Sequence, residues 1–222
     1  SSLRRYYFLN LRSPNWKLIV FICSLKYLMK ALKTTTIVLF ASGSGTNAEN
    51  IIQYFQKTKT AKVTHLFCNN PNAKVIFRAK KHKVPVTVFD RNDFLETKNV
   101  QSKLSKLSPD WIVLAGFLWK ITPEIVSQFP NKIINIHPAL LPNYGGKGMY
   151  GMHIHEAVVE NRESKTGITI HYVNEAYDEG AIIFQEEVAL SENDSPQDVA
   201  QKIHELEHTH FPKVIESLFD NE

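Results

Sequence analysis

From Thr36 to Ile136 the chain alternates short apolar runs with segments of helical pattern, and this alternation confines it to a narrow set of folds. The apolar runs are Ile37–Ala41, Val63–Cys68, Val84–Phe89, Trp111–Ala115 and Ile133–Ile136. Helices are expected between them, near Asn47–Gln56, Ala73–His82, Phe94–Leu107 and Pro123–Phe129. Short strands spaced by helices imply βαβ units and a parallel sheet covered on both faces. The predicted class is therefore α/β, an open, mostly parallel twisted sheet flanked by helices. Two later strands, Ile168–Val173 and Ala181–Val188, are joined by Asn174–Gly180 and read as an antiparallel addition. A long helix from about Pro196 to Leu218 closes the chain. Ser195 is its expected N-cap, with Pro196 at the first helical position and Asp198 at N3.

Charge divides the chain unevenly. The formal net charge is +4 over 222 residues. Residues 1–33 hold Arg4, Arg5, Arg12, Lys17, Lys26, Lys30 and Lys33 and no acid; without these seven, 19 basic residues face 22 acidic ones. The basicity belongs to an N-terminal extension, expected to lie outside the core, and the remainder makes no case for nucleic acid. Leu18–Cys23 is apolar but interrupted by Lys26, too short to span a bilayer, so no stable membrane insertion is expected. Met29 precedes the first strand and is expected to lie near the natural start. Residues 34–222 form the expected catalytic domain. Cys23 and Cys68 suggest neither a disulfide framework nor a metal cluster, and a reduced, cytoplasmic setting is the simpler expectation.

In parallel sheets of this kind ligands bind at the carboxyl ends of the strands. The tips to inspect are Ser42–Asn47, Asn69–Asn70, Gly116–Ile121 and Asn135–Pro138. On a strand, residues i and i+2 point the same way, so Asn135 and His137 reach into one space. Pro138 ends the ladder because it has no N–H to donate. An amide donor beside a titratable ring suits acyl or formyl transfer, where an oxyanion develops. The blander reading is a strand end whose Asn and His satisfy a turn.

Ser42-Gly43-Ser44-Gly45-Thr46-Asn47 lies between the first strand and a helix. Free N–H groups and the positive end of the helix dipole attract an anion there. Gly43-x-Gly45-x-x-Ala48 matches the dinucleotide fingerprint formally, yet no Asp or Glu occurs from Ile51 to Phe89 to hold a ribose. Thr46 and Asn47 instead offer donors suited to a single phosphate.

Asp178, in Tyr177-Asp178-Glu179-Gly180, is either turn chemistry or a partner for His137, if its loop folds back over the sheet; Glu179 competes with it. His153 and His155 are read as polar residues at a helix N-terminus, with His153 near the substrate, rather than as metal ligands. His171 either lines the same cleft or is a satisfied buried ring. His204, Glu207 and His208 share one helix face, and Glu207 is a candidate contact to a substrate amine or hydroxyl.

Together, Ser42–Asn47, Leu114-Ala115-Gly116-Phe117, Asn135-Ile136-His137-Pro138-Ala139-Leu140-Leu141-Pro142 and Asp178-Glu179-Gly180 resemble the folate-dependent phosphoribosylglycinamide formyltransferases. The resemblance runs from about Thr36 to Phe219. It implies a Rossmann-like formyltransferase fold. It also implies transfer of the formyl group of 10-formyltetrahydrofolate to the amine of 5-phosphoribosylglycinamide, in purine biosynthesis, with no metal. It implies Asn135, His137 and Asp178 as the catalytic set. Gly45, Thr46 and Asn47 would hold the substrate phosphate, with Glu207 as a further substrate contact. Leu118, Trp119, Lys120 and Ile121, with Asn135 and the loop Asn174, Glu175, Ala176, Tyr177 and Asp178, would form the folate pocket. The partners implied are these two small molecules, bound by a monomer or homodimer.

Two departures stand out. Gly145-Gly146-Lys147-Gly148-Met149-Tyr150 lengthens the loop after Leu141-Pro142, and Trp119-Lys120 replaces the common Met-Arg pair. Arg91 and Lys98 both qualify as the basic residue that meets the folate tail. The alternatives are a formyltetrahydrofolate hydrolase, which is expected to carry a regulatory domain before the core, and a non-catalytic folate- or nucleotide-binding module. A formyltransferase acting on methionyl-tRNA is expected to carry a further domain after it.

Overall fold

Every residue from Ile37 to Ala41 is fully buried, which demands cover on both faces of the strand they form. A computed structural model describes residues 34–176 and 178–219. The extension expected over residues 1–33 lies outside the described residues, as does Tyr177. The elements are β1 (Thr35–Ala41), α1 (Thr46–Thr58), β2 (Ala61–Cys68), α2 (Lys74–Lys81), β3 (Val86–Val88), a π-helical turn (Asn92–Glu96), α3 (Asn99–Leu107) and β4 (Trp111–Leu114). Then come α4 (Pro123–Gln128), β5 (Ile133–His137), α5 (Met152–Glu160), β6 (Lys165–Tyr172), β7 (Ile182–Ala189) and α6 (Pro196–Ser217). They form a seven-stranded sheet in the order β3-β2-β1-β4-β5-β6-β7. The first five strands run parallel. β6 and β7 are antiparallel, as the sequence pattern predicts.

Alternation along β1 sorts the core into two layers. Ile37, Leu39 and Ala41 join α1 (Ile51, Phe55), α2 (Val75, Ala79), α5 (Ile154, Val158) and α6 (Val199, Phe211, Ile215). Val38 and Phe40 join Phe94, α3 (Val100, Leu104) and α4 (Ile125). Each fully buried side chain of this size contributes about 1.5–3 kcal/mol relative to its exposed state. α6 begins with a capping box: the Ser195 hydroxyl accepts from the Asp198 N–H at 3.2 Å, and the Ser195 N–H donates to Asp198 at 2.8 Å.

Two elements differ from expectation. The helix expected over Phe94–Leu107 is split at Lys98, whose φ is 57°. A continuous helix, at about 100° per residue, would turn Phe94 roughly 120° away from Val100. The wide turn, closed by the Thr97 N–H on the Asn92 carbonyl at 3.0 Å, lets Phe94 share one core with Val100 and Leu104. β3 is also shorter than Val84–Phe89, because Pro85 has no N–H to pair and only its carbonyl joins β2.

β1 is flanked by β2 on one side and β4 on the other, so chain connections leave it in opposite directions. A crevice opens beyond the carboxyl ends of β1 and β4, the place where such sheets bind ligands. The Ser42 N–H donates to the Gly116 carbonyl at 3.0 Å and the Leu118 N–H to the Ser42 hydroxyl at 3.0 Å, which tie the two loop tips together.

Candidate active site

The crevice is a cleft of about 730 Å³. It is lined by Gly43–Asn47, Leu114–Ile121, Asn135–Pro138, Gly146–Gly151, His155, His171, Asn174, Ala176, Asp178, Ile203, His204 and Glu207, among others. Three of the four expected strand tips meet here. The fourth does not: Asn70 turns back, its amide 3.4 Å from the Ser42 carbonyl and its side-chain oxygen accepting from the Asn72 N–H.

β5 delivers its side chains as its period requires. Ile134 and Ile136 are buried in the core, while Asn135 and His137 line the cleft, with His137 buried. In the antiparallel register Asn135 sits opposite His171. The Asn135 amide nitrogen lies 3.2 Å from His171 Nε2, and His171 Nδ1 lies 2.9 Å from the Tyr172 carbonyl. Nδ1 donates to that carbonyl, and the contact at Nε2 fixes the position of the Asn135 amide group. A bulge at Ile170/His171 adjusts the ring beside the site.

The loop between β6 and β7 folds back over the sheet and brings Asp178 between the two rings. Its carboxylate oxygens lie 3.6 Å from His137 Nδ1 and 3.6 Å from His171 Nε2, and one accepts from the Gly146 N–H at 3.0 Å. Burial alone would raise the carboxyl pKa. The two rings and the Gly146 N–H outweigh it and hold Asp178 below the usual carboxylate range. Burial pushes the His137 ring the other way, below its ordinary range, against the Asp178 carboxylate and the Tyr144 carbonyl. The loss of water at the ring thus outweighs the Asp178 carboxylate 3.6 Å away. His137 Nε2 donates to the Tyr144 carbonyl at 2.8 Å. Nothing in the residue pattern anticipates the contacts of Tyr144 and Gly146, because both use backbone groups. They come from the lengthened loop, which thus touches both members of the dyad.

At the other end of the cleft Gly45 opens α1 with φ 75°. A Cβ there would lie 2.2 Å from Val75 Cγ2, so this position requires glycine both for its backbone and for its neighbour. The Asn47 amide donates to Glu207 at 2.8 Å, and the Asn47 side-chain oxygen has no partner among the described residues. Burial pushes Glu207 up to about 7, with the Asn47 bond opposing it.

Leu118, Trp119, Lys120 and Ile121 line the cleft together with Asn174 and Ala176; Glu175 does not, and Tyr177 lies outside the described residues. Arg91 stacks 5.2 Å from the Trp119 ring, whereas Lys98 forms the N-cap of α3. His153, expected near the substrate, does not line the cleft: it is 65% exposed and faces Glu156 at 3.5 Å, while His155 is buried and lines the cleft. Among the described residues no group of His, Cys, Asp and Glu is arranged to hold a metal ion, and no helix is long and apolar enough to cross a membrane.

The sequence profile of the formyl transferase family matches residues 35–215. The chain belongs to the formyl transferase family. Its similarity to members with assigned activities extends over most of its length. It is 36% identical over 185 residues to the chloroplastic phosphoribosylglycinamide formyltransferase of Arabidopsis thaliana, covering 81% of this chain. It spans 63% of the length of that plant protein. It is 35% identical over 185 residues to the phosphoribosylglycinamide formyltransferase of Bacillus subtilis, covering 81% of this chain and 92% of the relative. The crystal structure of phosphoribosylglycinamide formyltransferase from Bacillus halodurans superposes with a TM-score of 0.75 at 36% identity, covering 83% of this chain and 95% of that one. The fold described above is thus shared with that formyltransferase structure.

Proposed function

We propose that the protein is a phosphoribosylglycinamide formyltransferase: it transfers the formyl group of 10-formyltetrahydrofolate to the amine of 5-phosphoribosylglycinamide, in purine biosynthesis. The observation that carries this reading is the meeting, in one cleft, of Asn135, His137 and Asp178 with the open N-terminus of α1. The Gly45–Asn47 loop takes the substrate phosphate, and Glu207 meets the ribonucleotide beside Asn47. Leu118–Ile121, Asn135 and residues 174–178 form the folate pocket, and Arg91, against Trp119, meets its acidic tail.

The substrate amine is the nucleophile. Its nitrogen bonds to the formyl carbon, and the carbonyl oxygen becomes an oxyanion. The Asn135 amide, held beside His171, donates to that oxygen. The His137 ring takes up the proton released by the amine as charge develops, and the Asp178 carboxylate beside it stabilises the imidazolium. The carbon bond to folate N10 then breaks, and the proton from the amine ends on that nitrogen. No protein nucleophile is involved, so the buried Cys68 thiol takes no part.

Residues 34–222 are the catalytic domain in this proposal, acting in a reduced, cytoplasmic setting. The test is purified protein with 10-formyltetrahydrofolate, the ribonucleotide added or omitted, followed through the folate spectrum. Turnover that needs the ribonucleotide is the expected result. Turnover without it identifies a hydrolase, and none identifies a binding module.

A further inference from the structure

The loop before α1 is held from behind by α2. The Val75 N–H donates to the Gly43 carbonyl at 3.2 Å, and Arg78 Nε donates to the Ser44 carbonyl at 3.0 Å. In a trans peptide the N–H points opposite to the carbonyl, and the Leu141-Pro142 bond is the cis peptide among the described residues. Binding the Gly43 and Ser44 carbonyls to α2 therefore turns the N–H groups of Ser44 and Gly45 away from α2. Both residues line the cleft, and neither N–H has a partner among the described residues. Two successive N–H groups aimed into a concavity make an anion site.

Arg78 is itself held. Its guanidinium pairs with Glu49 in the first turn of α1, and Glu49 also receives His82 at 3.1 Å and Lys81 at 3.8 Å. The Glu49 side chain is only 13% exposed. The pair is neutral overall, so its contribution is orientation rather than charge. A fork that grips a backbone carbonyl with one nitrogen and a carboxylate with another is a task for arginine.

We propose that Arg78 is a positioning residue for the substrate phosphate: by fixing the Ser44 carbonyl on α2, it presents the Ser44 and Gly45 N–H groups to the ribonucleotide. This rests on the formyltransferase reading above. The test compares the full chain with Arg78→Met and Arg78→Lys, measuring KM for each substrate, kcat and thermal midpoint. Arg78→Met is expected to raise KM for the ribonucleotide about tenfold, which is about 1.4 kcal/mol. Its kcat and its KM for 10-formyltetrahydrofolate are expected to stay within about twofold. Arg78→Lys keeps a donor but lacks the fork, and is expected to raise that KM about threefold. A ribonucleotide KM unchanged in Arg78→Met overturns the proposal. So does a parallel loss in both KM values and kcat, which marks a structural role. If Arg78→Met does not fold, Arg78→Lys decides: a rise of about threefold in ribonucleotide KM with the KM for 10-formyltetrahydrofolate unchanged supports the proposal, and a ribonucleotide KM equal to wild type, or a parallel rise in both KM values, overturns it. If the wild type turns over no ribonucleotide, the functional reading fails by itself, and calorimetric titration with inorganic phosphate decides this one. Tenfold weaker binding by Arg78→Met supports it, and equal binding or none to the wild type overturns it.

Discussion

Glu207 lends itself to a quantitative test. Its pKa rises from 4.5 to about 7 because burial penalises the charged form, and its side chain is 13% exposed. The folded protein thus holds a proton on Glu207 over a pH range in which the unfolded chain has released it. Stability contributed by this group is present at low pH and falls as pH rises from 4.5 towards 7. Integrating the linkage with these two pKa values, the lost stability is about 1 kcal/mol at pH 5 and about 3 kcal/mol at pH 8, a difference of about 2 kcal/mol. Glu207→Gln keeps a side-chain oxygen to accept from Asn47 and removes the titration. Urea denaturation of both proteins at pH 5 and pH 8 isolates the effect, since the other titrating groups cancel in the difference. The variant is expected to gain about 2 kcal/mol relative to wild type between the two pH values. A difference that stays constant within about 0.5 kcal/mol would mean that Glu207 ionises as an ordinary carboxyl, and would refute the burial argument.

Other expectations follow from the site and the fold. Asn135→Ala and His137→Ala should each lower kcat by on the order of 10²–10³ with the circular dichroism spectrum unchanged; near-normal turnover in either removes that residue from the catalytic set. By NMR, the His137 midpoint should lie below the usual imidazole range and fall further in Asp178→Asn, because the carboxylate raises it; a rise would contradict the assigned balance of burial and charge. Gly45→Ala should destabilise the fold by about 1–3 kcal/mol and weaken ribonucleotide binding, as its Cβ meets Val75 at a backbone φ of 75°. Ser195→Ala should cost about 1 kcal/mol in thermal or urea unfolding through loss of the α6 cap.

Much of the architecture was legible because its physics is local. Ile37–Ala41 and Trp111–Leu114 are apolar throughout, since both faces of their strands are covered. Ser195, Pro196 and Asp198 mark the start of α6 by hydrogen bonds within four residues. The break at Lys98 was not legible. It answers to the aromatic core around Phe89, Phe117 and Trp119, which Phe94 joins only if the helix is interrupted. His153 and His155 show the same limit on a smaller scale. Residues two apart on a helix differ by roughly 200° in direction, and only the packing of α5 decides which one faces the cleft.

The sequence alone determined the α/β class, the glycine loop after the first strand, and the shared direction of Asn135 and His137, since backbone period and turn chemistry act over a few residues. Tertiary structure decided everything that depends on separate segments meeting. It set Asp178 between His137 and His171, placed the Tyr144 carbonyl and Gly146 N–H on the dyad, and fastened Arg78 to the Ser44 carbonyl. It also set how much water each group loses, and that loss moves Glu207 up against the Asn47 hydrogen bond and His137 down against the Asp178 carboxylate.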